Sequence, residues 1–462
     1  MTYLSDDTIC ALATATGGAI ATIRVSGPQA VSITDNLFLS PSGHSLAEMH
    51  SHTAHFGAVH DKDGKVIDEV VATLYRAPRS YTGEDNIEIS CHGSRYIISK
   101  ILQELITHGC RQARPGEFTQ RAFLNGKMDL SQAEAVADLI SSTNATTHQI
   151  ALSQLRGHFS HQLAELRNQL LHLTSLLELE LDFSDHEDLE FADRKELLTL
   201  AKTTEKQIST LTRSFSTGKA MRQGIAVAIA GKTNVGKSTL LNRLLHDDKA
   251  IVSDIHGTTR DVIEDTTEIK GVTFRFIDTA GIRQTSDAIE QMGIERTYQK
   301  VEEAQIVLWI TDQPPTQEEA DAIATITENK KLIAVVNKID KNGEEAYNPT
   351  ALLHLPDTVV IGISAKYGTH LEELENAIYV AADIPAITEN DVIVTNARHY
   401  EALTKALEDI QRVIQGMQEG LSGDLLSEDL RSCIEHLSEI VGGSITPDET
   451  LSNIFSHFCV GK

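Results

Sequence analysis

The 462-residue sequence has few cysteines and no long hydrophobic segment. The five cysteines are an odd number and are scattered, without the Cys-x-x-Cys pair of zinc sites and redox dithiols, so we interpret them as reduced thiols. No apolar run approaches the ~20 residues needed to span a bilayer. The opening MTYLSDDTIC also lacks the layout of a signal peptide. These absences favour a cytoplasmic protein and argue against a secreted or membrane-spanning one.

Basic residues are scarce relative to acidic ones. The 40 Lys and Arg residues stand against 66 Asp and Glu residues, which gives a net charge of −26. Such a balance argues against indiscriminate binding to nucleic-acid phosphates. Residues 1–130 are nearly balanced, with 11 basic against 14 acidic residues, whereas the remainder has 29 against 52. If the protein binds a polyanion, we expect the first domain or a partner protein to make most of the contacts.

The first 126 residues combine short β-rich runs with one helical pattern. Ala19–Val25, Val66–Tyr75 and Asn86–Ser90 have the composition of strands, and Tyr96–Thr107 has helical spacing. We therefore predict an N-terminal α+β domain over residues 1–126.

Two later segments, residues 127–217 and 384–462, have helical periodicity. In each, apolar residues recur at steps of three and four, which predicts a buried helix face rather than a lipid or cofactor surface because the remaining positions are polar. The first stripe comprises Leu155, Phe159, Leu163, Leu166, Leu170, Leu173 and Leu177. The second comprises Leu403, Leu407, Ile410, Val413, Ile414 and Met417. We predict one all-α domain in two segments.

Between these segments, residues 218–383 alternate apolar runs with helix-length stretches, which is typical of a parallel doubly wound sheet. The runs are Ile225–Ala230, Val272–Ile277, Gln305–Ile310, Leu332–Val336 and Val359–Ile363. An α/β domain is thus predicted as an insertion into the helical domain.

The first of these runs leads directly into a G-x-x-x-x-G-K-S sequence, Gly231–Ser238. In this strand-loop-helix context the pattern predicts a P-loop, whose backbone N–H groups surround phosphates. Lys237 would neutralise the β and γ oxygens, and the Ser238 hydroxyl would bind Mg²⁺. The expected nucleotide-binding residues here are Asn234, Val235, Gly236, Lys237, Ser238 and Thr239.

Three more motifs follow in the order expected for a GTPase. Asp278-Thr279-Ala280-Gly281 ends a strand, where a carboxylate can hold a Mg²⁺ water and a glycine can follow the γ-phosphate. In the second motif, Asn337-Lys338-Ile339-Asp340, the Asp340 carboxylate can accept hydrogen bonds from two N–H donors of guanine, a pair of donors that adenine lacks. The base-binding residues expected from these loops are Asn337, Lys338, Asp340, Ser364, Ala365 and Lys366.

A switch segment is expected between the P-loop helix and the Asp278 strand. Within it, Thr259 is the expected second protein ligand of Mg²⁺, and Asp261 fits a helix cap as well as a functional role. The predicted nucleotide-contacting residues are Ser253, Asp254, Ile255, His256, Gly257, Thr258 and Thr259.

The position that holds a water-orienting Gln in Ras-like enzymes is occupied by Ile282, which cannot orient water. Three other residues are open as catalytic candidates: Arg283 as an arginine finger, Glu290 as a water-orienting carboxylate, and Asn234 as a ligand of a monovalent cation.

Long segments elsewhere carry a family resemblance. Ile23–Gly27, Tyr81–Asp85, Ala113–Lys127 and the ending Phe458–Lys462 resemble the tRNA-modifying GTPases of the MnmE family, also called TrmE, among the TrmE-Era-EngA-like P-loop GTPases. The resemblance covers essentially the whole chain. Val460 stands where the family usually has Ile, a mild change.

The resemblance implies a fold of three parts: an N-terminal folate-binding and dimerisation domain, a split helical domain and an inserted GTPase domain. It further implies a homodimer that joins two copies of the FAD-containing protein MnmG in a heterotetramer. Together they would add a carboxymethylaminomethyl-type group at carbon 5 of wobble uridine 34 in certain tRNAs. The cofactors implied are GTP, Mg²⁺, K⁺ and 5-formyltetrahydrofolate or a related derivative.

Residue roles also follow from the resemblance. Glu290 aligns with the residue that orients the attacking water, and K⁺ takes the place of the arginine finger when the G domains meet. The aligned K⁺ ligands are Asn234, Ser253, Ile255 and Thr258. The aligned folate-site residues are Arg24, Glu88, Lys127 and Lys462. Cys459, within the terminal signature, is a hypothesised residue of tRNA modification, the alternative being a packed terminal thiol.

Two other functions compete with this interpretation. A ribosome-assembly GTPase would use the same switch chemistry as a binding regulator, and such proteins usually append an RNA-binding module to the GTPase domain. A folate-dependent one-carbon transferase with a passenger GTPase would be recognised by turnover after deletion of the GTPase region.

Overall fold

In a computed structural model of the chain, the structure describes residues 7–182, 194–246, 265–278, 303–313, 315–328, 330–342, 358–385, 391–443, 451, 454–456 and 458–461. The chain divides into two compact units. Unit 1 comprises Met1–Ser141, Gln154–Glu205 and Lys405–Lys462. Unit 2 comprises Ser142–Ser153 and Lys206–Thr404.

Unit 1 contains a seven-stranded sheet with the order β3-β4-β5-β6-β2-β1-β7. Neighbouring strands are antiparallel except for the parallel pair β1 and β7. The strands are β1 (Thr8–Leu12), β2 (Ile20–Ser26), β3 (Phe38–Leu39), β4 (Thr53–His60), β5 (Val66–Tyr75), β6 (Asn86–His92) and β7 (Cys110–Gln112).

Two helices, α1 (Ala30–Asp35) and α2 (Arg95–Thr107), pack against this sheet. Ile101 and Leu105 of α2 are fully buried in one cluster with Ile23 and Ile89 of the sheet. Alternation along the strands supplies this core, because every second side chain points to the helices. The N-terminal α+β fold predicted from the sequence is therefore confirmed.

The remaining helices of unit 1 surround a second, helical core. They are α3 (Glu117–Leu124), α4 (Leu130–Ser141), α6 (His158–Asp182), the start of α7 (Arg194–Gln223), most of α12 (Ala397–Glu419) and α13 (Gly423–Val441). Helix α13 packs along α6. Within the described ranges, none of the helices combines the length and the hydropathy of a membrane-spanning segment.

The predicted leucine stripe is buried along α6, from Phe159 to Leu177. Leu155 departs from it, because this half-buried residue ends the separate helix α5 (Ala145–Leu155). Gly157 separates the two helices with a φ of +85°, a left-handed conformation that glycine adopts readily. In the second stripe Leu403, Ile410 and Val413 are buried, whereas its other members are half-buried.

Unit 2 is built on a six-stranded sheet with the order β13-β12-β11-β8-β10-β9, parallel except for β9. The strands are β8 (Ile225–Gly231), β9 (Asp265–Ile269), β10 (Val272–Asp278), β11 (Ile306–Thr311), β12 (Lys331–Val336) and β13 (Val359–Gly362). All five predicted strands are present. Strand β9 was not predicted, because its sequence DTTEI is mostly polar.

Both faces of this sheet are covered. Val227 and Ile229 of β8 point into one apolar cluster, and Ala228 and Ala230 into another that contains Trp309. The helices of unit 2 are α5, the end of α7, α8 (Lys237–His246), α9 (Gln317–Ile326), α10 (Ile339–Asn342), α11 (Leu371–Ala381) and the start of α12. This is the predicted doubly wound α/β fold.

The two units do not follow the predicted domain boundaries. The expected boundary between residues 217 and 218 falls inside the continuous helix α7, residues 142–153 belong to unit 2, and unit 2 continues to Thr404 rather than ending at residue 383. A helix that runs through a boundary gives no composition shift from which the boundary could be read. The division at residues 126, 217 and 383 therefore stays an expectation.

Candidate functional site

Loops at the carboxyl ends of the parallel strands of unit 2 form the candidate nucleotide site. Gly231 ends β8 with a φ of +148°, and a Cβ there would lie 2.3 Å from the Ile310 carbonyl oxygen. At Gly236, with a φ of +102°, a Cβ would lie 2.2 Å from Nδ2 of Asn337. Both positions accept only glycine, so the loop can lie close to its neighbours and keep its backbone open toward a ligand.

The P-loop wraps around the side chain of Lys237. Its Nζ donates to the carbonyl oxygens of Gly231 at 2.6 Å and Lys232 at 2.7 Å. Ser238 and Thr239 are exposed in the first turn of α8, where free N–H groups and the helix dipole favour an anion. The site thus combines an ammonium group, hydroxyl groups and a helix N-terminus.

Asn337 joins the P-loop to the two loops expected to bind the base. Its Nδ2 donates to the Val235 carbonyl oxygen at 2.8 Å, and its Oδ1 accepts from the Ala365 N–H at 3.0 Å. The residue is only 3% exposed, so both bonds are shielded from water. Asn337 therefore fixes three loops relative to one another.

Lys338 makes a second link to the P-loop. Its Nζ donates to the Asn234 carbonyl oxygen at 2.7 Å and forms an ion pair with Asp312 Oδ2, also at 2.7 Å. At the start of the loop, Lys232 forms an ion pair with Glu319 of α9. The hydrogen bond from Lys232 holds the pKa of Glu319 below its ordinary value.

The proposed base-reading carboxylate is oriented by a buried hydroxyl. Ser364 Oγ donates to Asp340 Oδ1 at 2.6 Å, and Ser364 is 1% exposed whereas Asp340 is exposed. Lys366 Nζ donates to Tyr367 OH at 3.0 Å, a bond that raises the pKa of the lysine. The arrangement leaves acceptor capacity on Asp340 for a ligand.

Part of the predicted site lies outside the described residues. Of the strand-end motif, the backbone of Asp278 is described at the end of β10, paired with Ile229. The predicted residues outside the described ranges are Ser253, Asp254, Ile255, His256, Gly257, Thr258, Thr259, Asp261, Thr279, Ala280, Gly281, Ile282, Arg283, Glu290 and Lys462.

In unit 1, two residues of the expected folate site form a pair on neighbouring strands. Arg24 of β2 lies opposite Glu88 of β6, and its Nε and Nη2 donate to Glu88 Oε1 at 3.0 Å and 2.8 Å. The guanidinium also lies 5.3 Å from the ring centroid of Tyr81 and 5.6 Å from that of Phe118. A charged pair beside two aromatic rings suits a polar heteroaromatic ligand.

The C-terminal signature, which contains Cys459, Val460 and Gly461, lies beside Arg24. Arg24 Nη1 lies 3.5 Å from the carbonyl oxygen of Gly461, the residue that precedes Lys462. Val460 forms a β-bridge with Pro115, and the Gly116 N–H donates to the Cys459 carbonyl oxygen at 3.4 Å. These contacts hold the exposed thiol of Cys459 in this region of unit 1.

Lys127, the fourth expected folate residue, donates from Nζ to the Pro78 carbonyl oxygen at 2.8 Å. Its side chain lies beside Gly83, where a Cβ would be 3.4 Å from the lysine. Lys127 is thus placed along the 78–83 loop that carries Tyr81, whereas Arg24 and Glu88 lie on the sheet.

Several residues that shape these sites were not predicted from the sequence. Asp312 follows directly after strand β11, a position that is itself a signal for a functional side chain in a parallel sheet. Tyr81 and Phe118 lie within the motifs that carried the resemblance, but nothing in their spacing indicated that they flank Arg24. Such a contact depends on the tertiary fold.

The doubly wound sheet, the P-loop and the linked base-side loops define a P-loop GTPase domain within a larger chain. Two family models match: "GTP-binding protein TrmE N-terminus" over residues 8–127 and "MnmE helical domain" over residues 130–459. The chain therefore belongs to the MnmE family, and it is a GTPase.

Full-length relatives and a solved structure were also found. The "tRNA modification GTPase MnmE" of Bacteroides fragilis is 56% identical and that of Christiangramia forsetii 48%, each alignment covering 99% of this chain and at least 99% of the relative. A crystal structure of Aquifex aeolicus Era is 31% identical, covering 40% of this chain and 66% of that one, with a TM-score of 0.26. The family assignment rests on the sequence matches.

Proposed function

We propose that this GTPase acts in tRNA modification and that its nucleotide site is the loop assembly of unit 2. The observation that carries the proposal is the bridging of the P-loop and the base-side loops by Asn337, because it joins the phosphate-binding and base-binding parts into one site. Full-length relatives named for tRNA modification support the wider role.

Within the site, Lys237 and the P-loop N–H groups would hold the phosphates, and Asp340 would accept the two guanine N–H donors. Mg²⁺ would be held by Ser238 and Thr259. Ser238 fits this role because its hydroxyl is exposed at the start of α8, beside the P-loop. The metal would neutralise charge that develops on the β- and γ-phosphates.

We further propose that K⁺ supplies the charge that an arginine finger supplies in other GTPases, with G domains pairing across a homodimer. Asn234 fits the role of a cation ligand, since it is exposed at the rim of the P-loop with a φ of +63°. Glu290 would orient the attacking water. The other proposed K⁺ ligands are Ser253 and Ile255, through their carbonyl oxygens, and Thr258.

In unit 1, we propose a site for 5-formyltetrahydrofolate or a related derivative. Glu88 could accept hydrogen bonds from the pterin ring, and Arg24 would lie against its π face or carbonyl groups. Lys127 and Lys462 would complete the site. With the FAD-containing partner MnmG, two copies of each protein would modify carbon 5 of wobble uridine 34, in the cytoplasm, where free cysteines such as those found here persist.

The experiment that tests the nucleotide chemistry is GTP turnover by the purified protein in K⁺ and Na⁺ buffers of equal ionic strength. We expect turnover at least ~10-fold faster in K⁺, since one charge-stabilising group is worth several kcal/mol in a transition state. Asn234→Ala should lose that difference, whereas Asn36→Ala, an exposed asparagine of unit 1, should keep it. Equal turnover in both cations would remove K⁺ from the mechanism and leave Arg283 as the charge-supplying candidate.

A separate test addresses the folate site. Calorimetric titration with 5-formyltetrahydrofolate should detect binding to the wild-type chain and at least ~10-fold weaker binding to Arg24→Ala, since that change leaves Glu88 without its partner. Arg95→Ala, an exposed arginine on α2, should bind like the wild type. Equal binding by both variants would contradict the assignment of Arg24.

A further inference from the structure

Asp312 contacts the proposed nucleotide site through the side chain of Lys338. Its Oδ2 lies 2.7 Å from Nζ of Lys338, and the same Nζ donates to the Asn234 carbonyl oxygen at 2.7 Å. The three residues thus form a chain from the end of β11, through the base-side loop, to the P-loop.

The sheet places these groups together. Strands β11 and β12 are parallel neighbours with Thr311 opposite Val336, and the Asn337 N–H continues the pairing by donating to the Thr311 carbonyl oxygen at 2.7 Å. Asp312 and Lys338 follow these pairs at the same edge of the sheet. Their juxtaposition is therefore built into the strand register.

Lys338 needs to be held in place. Its φ is +66°, in the left-handed region that residues other than glycine seldom adopt, and its side chain is 31% exposed. An ammonium group has three donors, of which Asn234 and Asp312 take two. Asp312 directs the lysine toward the P-loop with a charge-assisted bond, and one donor remains for a nucleotide oxygen.

We propose that Asp312 is a positioning residue for guanine-nucleotide binding, which acts by holding Lys338 against the carbonyl of Asn234. The inference rests on the nucleotide site proposed above. It assigns a role to a carboxylate outside the sequence motifs of that site. Without Asp312, Lys338 would be held by one bond, and the P-loop and base-side loop would be less well fixed before the nucleotide arrives.

The test is a double-mutant cycle on the full-length protein, with the Kd for GDP measured by titration calorimetry. Asp312→Ala removes the acceptor and should raise the Kd about tenfold, the equivalent of ~1.4 kcal/mol. Asp312→Asn keeps an acceptor but loses the charge, so its Kd should lie between that of the wild type and that of Asp312→Ala. Asp321→Ala, which removes an exposed carboxylate of α9 that accepts only from Gln317, is the matched control and should bind like the wild type.

The second arm of the cycle separates positioning from a structural role. If Asp312 acts through Lys338, adding Asp312→Ala to Lys338→Met should weaken binding no further than Lys338→Met alone. The melting temperature of the ligand-free Asp312 variants should stay near the wild-type value. Additive losses, or a wild-type Kd in Asp312→Ala while Lys338→Met binds weakly, would overturn the inference. If Lys338→Met itself binds GDP normally, the proposed nucleotide site fails as well.

Discussion

Asn144 and Thr273 are 129 residues apart in the sequence, and their side chains are hydrogen-bonded in unit 2, from Asn144 Nδ2 to Thr273 Oγ1 at 2.7 Å. Asn144 also caps helix α5, since its Oδ1 accepts from the Thr147 N–H at 2.8 Å. Thr146 adds a bond to the Gly271 carbonyl oxygen at 2.9 Å. The start of α5 is thereby tied to the β9–β10 hairpin.

Asn144→Ala should therefore destabilise unit 2. Loss of the cap and of the bond to Thr273 should cost about 2 kcal/mol. Trp309, the single tryptophan, is buried in unit 2, so its fluorescence during urea unfolding reports on that unit. Ser141→Ala, an exposed position at the end of α4, should leave the midpoint unchanged. Equal midpoints for the wild type and Asn144→Ala would show that the tie contributes nothing.

Asn337→Asp should weaken both GDP binding and folding. The substitution places a carboxylate oxygen where Nδ2 now donates to the Val235 carbonyl oxygen, so two acceptors would face each other in a buried place. We expect a loss of about 2 kcal/mol in unfolding free energy and at least a ~10-fold rise in the Kd for GDP. Calorimetric titration and thermal melting would measure both, with Asn36→Asp as the exposed control. Unchanged binding would contradict the bridging role of Asn337.

Asp340→Asn should lose guanine selectivity by several powers of ten, because an amide nitrogen would face the guanine N–H donors. The comparison is competition between GTP and ATP for the site. Ser364→Ala should have a smaller effect of the same kind, since it removes only the 2.6 Å hydrogen bond that orients the carboxylate. Wild-type GTP affinity in Asp340→Asn would refute the base-reading role.

Much of unit 2 could be predicted from the sequence because its signals are local. The strand before Gly231 and the motif residues after β12 and β13 each follow an apolar run, and parallel strands bring their carboxyl ends together. The links among these loops were not predictable in this way. Asn337 bonds to Val235 across 102 residues, and Asp312 joins Lys338 through strand register, which one sequence does not reveal.

The distinction between local signals, which the sequence reveals, and contacts between distant residues, which it does not, also applies to the helices and to unit 1. Helical spacing predicted the buried face of α6, but it could not show that Leu155 belongs to another helix. Gly157 separates the two helices, yet the apolar residues on either side of it keep the helical spacing. In unit 1, the positions of Arg24 and Glu88 came from the family resemblance. Their pairing depends on the register of β2 against β6, and their aromatic neighbours come from more distant segments.

Glu117 should make the stability of unit 1 sensitive to acid. Burial alone would raise the pKa of this carboxyl group. The hydrogen bonds from Arg111 and from the Arg114 N–H, with the charges of Arg111 and Arg121, outweigh burial and hold the pKa below its ordinary value of 4.5. A lowered folded-state pKa contributes stability above pH ~4.5 that is lost as the pH falls through the folded value.

Glu117→Gln should therefore flatten the decline in stability below pH ~4.5. It should lower stability at neutral pH by about 2 kcal/mol, because Arg111 and Arg121 lose a buried charged partner although they keep their ion pairs with Asp7 and, for Arg121, with Glu84. Urea unfolding followed by circular dichroism at pH 3.5 to 7 would measure this. Glu165→Gln, an exposed carboxylate on α6, is the control and should follow the wild-type curve. A parallel decline in all three proteins would show that Glu117 is not the titrating group.

Cys459 offers a test that separates tRNA modification from GTP hydrolysis. The bridge between Val460 and Pro115 and the bond from the Gly116 N–H hold its backbone, while its thiol is exposed in unit 1. The proposed GTPase site consists of residues of unit 2, so we expect a change of this thiol in unit 1 to leave GTP turnover intact. Cys459 is exposed, whereas the other four cysteines are buried, so its thiol is the most accessible of the five for chemistry.

Cys459→Ser should keep GTP turnover within about twofold of the wild type, since ~0.4 kcal/mol is a typical effect of a surface substitution. It should lose most tRNA modification when the proposed partner MnmG, tRNA and a folate derivative are supplied. Val460→Ala, an exposed neighbour in the same signature, is the control for damage to the terminal segment. Full modification by Cys459→Ser would assign the thiol to packing, and equal loss in both variants would assign the effect to the segment rather than to sulfur chemistry.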